Sequence, residues 1–107
     1  MYIITRRDLG LSYAAVQAAH AAYEAGNAFY SLSSDHPHFC VCSVKDERRL
    51  VHDLSRLKQL GIRIIEWREN DLNDALTAIA TEPIRGEMRR HFRNFQLLKD
   101  EEVSHAV

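Results

Sequence analysis

Within SYAAVQAAHAAYEAG, residues 12–26, Gln17 and His20 stand three apart in a run that is mostly alanine. On a helix turning about 100° per residue, Tyr13, Gln17, His20 and Glu24 fall along one stripe. Ala14, Ala18, Ala21 and Ala25 form a second, smooth face that can approach a sheet closely. Only imidazole titrates near neutral pH without help, so His20 is the general-base candidate, with Gln17 beside it to position a substrate group. The plainer reading makes His20 a hydrogen-bonded core residue and Gln17 a surface one. Asp71, Asp74 and Thr77 flank the turn into a later strand, where a carboxylate can orient an imidazole or a water. Asp74 follows Asn73, a pair equally suited to an ordinary tight turn. Arg6, Arg7 and Asp8 come directly after the first strand and either hold phosphate or form a solvated loop. Arg85, Arg89 and Arg93, joined by Arg90, make the best local phosphate-binding patch, or else a solvated helix face.

His36, His38, Cys40 and Cys42 alternate through HPHFCVC, which has the composition of a metal site. Its geometry is wrong for one. Alternate residues of a strand stand about 6.6 Å apart, so four of them span roughly 20 Å. They cannot converge on one tetrahedral ion with bonds of about 2.0–2.3 Å. The expectation is therefore no metal and no other cofactor, with both cysteines acting as small buried hydrophobes. Two cysteines this close give no disulfide framework, and a reducing, cytoplasmic setting follows.

The elements that would position these residues can be read in order. MYIITR is a short buried strand, and Ser12 is a candidate N-cap for the alanine helix, which Gly26-Asn27 would end. SLSSDHPH is a polar connection, and FCVCSV a second strand. Asp46 caps a helix whose Leu50, Leu54 and Leu57 recur at helical spacing, with Val51 widening the stripe. Gly61 stops that helix before the strand in GIRIIEW, so the strands on either side of it should run parallel. RENDLND is a polar loop, and the uncharged ALTAIAT a buried strand. From Pro83 a further helix is expected, with Ile84, Met88, Phe92, Phe95 and Leu98 on its apolar face. That face can dock on its own sheet or on a second subunit, giving a homodimer.

The sum is a three-layer α/β/α domain with a mixed sheet of about four strands. The order is β-α-β-α-β-β plus a C-terminal helix at 83–99, within a single domain 1–99 and a frayed tail at 100–107. With 107 residues at 46% hydrophobic and 27% charged, one core is the natural outcome. No segment is long enough to span a membrane. A net charge of −1 supplies no global positive field, so any nucleic-acid contact must come from a local basic patch.

The N-terminal residues resemble the type II peptidyl-tRNA hydrolases. In that family the first strand ends in an Arg and an Asp-Leu pair, matched here by Arg7, Asp8 and Leu9. The family's first helix carries Ala-Ala-Gln, two small residues, then His-Ala-Ala. Here Ala15, Val16, Gln17, Ala18, Ala19, His20, Ala21 and Ala22 differ from it at one position. The later order of elements agrees through residue 83. The resemblance implies metal-independent hydrolysis of the ester between a peptide and the acceptor end of tRNA. His20, or Asp71 acting on a water, would be the base. Gln17 and Thr77 would position the ester, and Arg6 or Arg7 would contact phosphate, in a cleft holding tRNA or a nucleotide conjugate. The chain departs from the family in having no lysine in the turn that opens the first helix, where Ser12-Tyr13 stand, and in its shorter loop before ALTAIAT. The alternative reading is a catalytically inactive member of the same fold that binds tRNA, a nucleotide or a protein.

Overall fold

Ile3 and Ile4 are consecutive in the first strand and both are buried, so that strand must be covered on both faces. The computed structural model, which describes residues 1–29 and 38–99, places strand β1 (Tyr2–Arg6) at the centre of a five-stranded mixed sheet. The other elements are α1 (Leu11–Phe29), β2 (Cys40–Val44), α2 (Glu47–Gln59), β3 (Ile64–Glu69), β4 (Ala75–Thr81) and the two-residue β5 (Gln96–Leu97). The strand order is β3-β4-β1-β2-β5. β2 runs parallel to β1, and β4 antiparallel to it; β3 and β5 are antiparallel edge strands against β4 and β2. β2 and β3 thus share a direction, as the helix between them requires, but β4 and β1 lie between them.

The two helices cover opposite faces, so the α/β/α expectation holds. On one side Ile3 meets Ala18, Ala21 and Ala25 of α1 and Ala78 and Ala80 of β4. Alanine packed on alanine is what brings α1 so close to the sheet. On the other side Ile4, Cys42, Val44 and Ile79 pack against Leu50, Leu54 and Leu57 of α2. Asp46 caps α2 by accepting from the Arg49 amide at 3.0 Å. Gly61, at φ +84°, ends it: its amide reaches the Lys58 carbonyl at 2.9 Å while the Ile62 amide reaches back to Leu57.

Several boundaries differ from the sequence reading. α1 starts at Leu11, directly after Gly10 at φ +85°, and its first backbone bond runs from Ala14 to the Gly10 carbonyl, so Ser12 lies inside the helix and does not cap it. Gly26 and Asn27 do not end it either. The helix continues to Phe29, whose ring packs with the α1-side core and under Arg63 at 5.3 Å. Val51 is 43% exposed, and the buried place beside Leu50, Leu54 and Leu57 belongs to Asp53 instead.

The sheet has five strands where four were expected, because the C-terminal segment contributes one. Gly86 sits at φ +62°, outside α-helical space, so the expected helix begins there and not at Pro83, and takes the tighter 3-10 form over Gly86–Phe92. β5 then covers the free edge of β2 through the pairs Cys42–Leu97 and Ser43–Gln96. Ile84, Met88, Phe92 and Phe95 pack on the chain's own α2-side core, Phe92 stacking on Tyr2 at 4.2 Å, so this apolar face docks on its own sheet. Residues 30–37, which hold most of the polar connection and His36, and the tail 100–107 lie outside the described residues. Among the described residues no helix is long and apolar enough to cross a membrane.

Candidate functional site

Gln17 and Thr77 meet under α1. The Thr77 hydroxyl donates to Gln17 Oε1 at 2.7 Å, and both side chains are buried, at 0% and 2% exposure for Thr77 and Gln17. A fold irregularity makes this contact possible. In the β3–β4 ladder Trp67 pairs with Ala78 but Arg68 pairs with Leu76, so Thr77 is the extra residue of a β-bulge. Strict alternation would turn Thr77 to the α2 face, opposite to Ala78. The bulge sends it instead toward α1, which is how bulges re-aim side chains. Thr5 completes a buried polar layer, donating to the carbonyls of Ala14 at 3.2 Å and Thr77 at 3.0 Å.

His20 lies one turn beyond Gln17 and is exposed. Its ring stacks on Trp67 of β3 at 4.4 Å between centroids and 8° between planes. The Trp67 carbonyl lies 3.3 Å from the Thr77 hydroxyl, and its indole Nε1 is buried without a hydrogen-bond partner among the described residues. Gln17, His20, Trp67 and Thr77 therefore form one continuous cluster between α1, β3 and β4. The plainer sequence reading is inverted here, because the glutamine is the buried residue and the histidine the exposed one.

The rim of this cluster is acidic. Tyr13, on the first turns of α1, has its phenol pKa raised above the ordinary value by partial desolvation and by the charges of Glu69 and Asp71. It remains a protonated donor well above neutral pH. Asp71 is exposed on the 3-10 turn Asn70–Leu72. Asn73 and Asp74, both at positive φ, form the tight turn into β4, so Asp74 serves the turn.

The arginines offered for phosphate contact lie in separate parts of the fold. Arg6 is engaged with Asp8 through two bonds, at 3.0 and 2.9 Å, and donates to the Leu76 carbonyl at 3.1 Å. The Asp8 carboxylate holds the Arg6 guanidinium above its ordinary pKa. Arg7 instead turns toward β2, donating to the Ser43 carbonyl at 3.1 Å. Arg85 and Arg89 stand near the N-terminal amine and, together with burial, lower its pKa. They are thus at the end of the sheet remote from Arg6 and Arg7, and Arg85, Arg89 and Arg93 share no helical face. Cys40 and Cys42 are side by side with sulfurs 3.8 Å apart, both free. Burial and the neighbouring Cys40 push the Cys42 thiol up to about 12.

Sequence reasoning did not single out Trp67, because its stacking partner comes from another element. It also missed Asp53, although a carboxylate on the Leu50, Leu54, Leu57 stripe with Arg49 and Arg56 at i−4 and i+3 was a readable signal. No protein-family model matches the chain, and no curated protein matches it.

Proposed function

We propose that the chain hydrolyses an ester of the kind joining a peptide or acyl group to the acceptor end of tRNA, at the cluster formed by His20, Trp67, Gln17 and Thr77. One observation carries this reading: the helix motif that resembles type II peptidyl-tRNA hydrolases puts its histidine on the surface, held flat on Trp67. His20 takes a proton from the attacking water. The carbonyl oxygen gathers negative charge as water adds, and Tyr13, a protonated phenol at working pH, is the donor at hand. Gln17 and Thr77 act by fixing α1 to β4, and so set where His20 stands.

A second reading is favoured by the same geometry. Gln17 and Thr77 satisfy each other, and Arg6 is occupied by Asp8, so the groups that would position an ester and a phosphate are engaged within the protein. The chain would then be a binding module for tRNA or a nucleotide conjugate that performs no turnover. A peptidyl-tRNA hydrolysis time course on the wild type, His20→Ala and Asp71→Asn separates the two. Turnover that falls by about 10²-fold or more in His20→Ala supports the hydrolase. Salt-sensitive tRNA binding without turnover in any of the three folded proteins supports the module.

A further inference from the structure

A cavity of about 630 Å³ opens on the α2 side of the sheet, away from the His20 cluster. Arg7, Lys45, Arg49, Arg56 and Arg90 line it from four different parts of the chain, with one acidic residue, Asp53, among them. Asp53 is the organising group. Its side chain is 1% exposed, and a carboxylate so buried must be paired. Arg49 Nε donates to Oδ2 at 3.2 Å and Arg56 Nε stands 3.7 Å from Oδ1, which has no hydrogen-bond partner among the described residues. The buried acid therefore anchors two guanidinium groups on the cavity wall. Arg7 is tied down separately by the Ser43 carbonyl and hydroxyl, at 3.1 and 3.3 Å. Lys45 and Arg90 form no ion pair among the described residues.

Five permanent cations and one carboxylate leave a local charge of +4 in a chain whose net charge is −1. Like charges gathered in a concave site repel one another and focus a positive potential on its interior. We infer that this cavity binds a compact polyanion bearing two or more linked phosphates, namely inorganic pyrophosphate or a nucleoside polyphosphate. A phosphate monoester carries about −2, too little to balance the site, whereas two or three linked phosphates carry about −3 to −4. Arginine forks on several sides suit several phosphate oxygens at once. The volume is that of a small-ligand pocket. The assignment is independent of the reaction proposed above.

Calorimetric titration of the whole chain with inorganic pyrophosphate tests it. One site is expected, with affinity falling between about 50 and 200 mM salt. Inorganic phosphate should bind about tenfold more weakly or worse. The exposed pair Lys45→Gln/Arg90→Gln, which leaves the core intact, should lose about tenfold, while Tyr13→Phe at the other site should lose nothing. ADP binding tighter than pyrophosphate assigns a nucleotide, and equal binding assigns the phosphate chain alone; either supports the inference. It is overturned if pyrophosphate gives no binding at low salt, if the double variant binds as well as the wild type, or if a short RNA lacking terminal phosphates competes equally.

Discussion

The buried Thr77–Gln17 hydrogen bond makes a quantitative prediction about what these two residues do. Thr77→Val keeps the side chain's shape and removes the only described donor to Gln17 Oε1, leaving a buried amide oxygen unsatisfied. Such an orphan costs about 1–3 kcal/mol. Gln17→Leu is asymmetric with it, because the Thr77 hydroxyl retains the Trp67 carbonyl as an acceptor at 3.3 Å. Its cost should stay below about 1 kcal/mol, the net worth of a typical hydrogen bond. In the double variant no buried polar group is stranded, so its loss should match that of Gln17→Leu alone. The double variant is then more stable than the sum of the singles implies by the whole Thr77→Val cost, about 1–3 kcal/mol. Urea unfolding followed by far-UV circular dichroism measures all four proteins, provided the denaturant slope is unchanged. A loss of about 2 kcal/mol in Thr77→Val would lower Tm by roughly 8–16 °C in a domain of this size. Strictly additive losses, or a Thr77→Val variant within about 0.5 kcal/mol of wild type, would falsify the reasoning. Gln17 and Thr77 would then be free groups of an open cleft.

Two further outcomes follow from the ionisable groups. Glu66 is held below its ordinary carboxyl pKa of 4.5, first by the Lys58 hydrogen bond at 2.6 Å and also by Arg68 at 3.0 Å. In the pH range between its folded value and 4.5 the unfolded chain binds more protons than the folded one, so stability rises with pH. This contribution is present above about pH 4.5, is lost as pH falls through the folded value, and should vanish in Glu66→Gln; identical acid unfolding profiles for the two proteins would refute it. Cys42, buried and with its thiol pushed up to about 12, should resist iodoacetamide at pH 8 in the folded protein. Mass spectrometry should find at most one adduct before unfolding and two after. A doubly alkylated native protein would contradict the buried β2 register.

Much of the architecture was legible because it depends on near neighbours in the chain. Asp46 caps α2 since its side chain need reach only three residues ahead, and Gly61 ends the helix through its own backbone freedom. The alanine face of α1 was readable for the same reason, as helical periodicity places those residues together wherever the helix goes. The helix termini expected at Ser12, Gly26 and Pro83 went the other way. Gly10 supplied the first turn with a carbonyl acceptor, and Phe29 found a packing partner that made continuing the helix favourable. At these two ends of α1, backbone geometry and distant packing outweighed local preference.

The candidate site divides along the same line. The sequence by itself determined that Gln17 and His20 lie on one helix close to a sheet, and that Asp71 and Thr77 lie near the end of another strand, because spacing along regular elements is a local property. Tertiary structure alone decided which of them is buried. A one-residue bulge in β4 turns Thr77 toward α1, Gln17 is drawn in to pair with it, and His20 is left outside on the face of Trp67. The five cations around Asp53 come from segments separated by up to 83 positions, from Arg7 to Arg90. Side chains so far apart in sequence acquire a common field only when the sheet brings their elements to one edge, since charge interactions depend on distance in space and not along the chain.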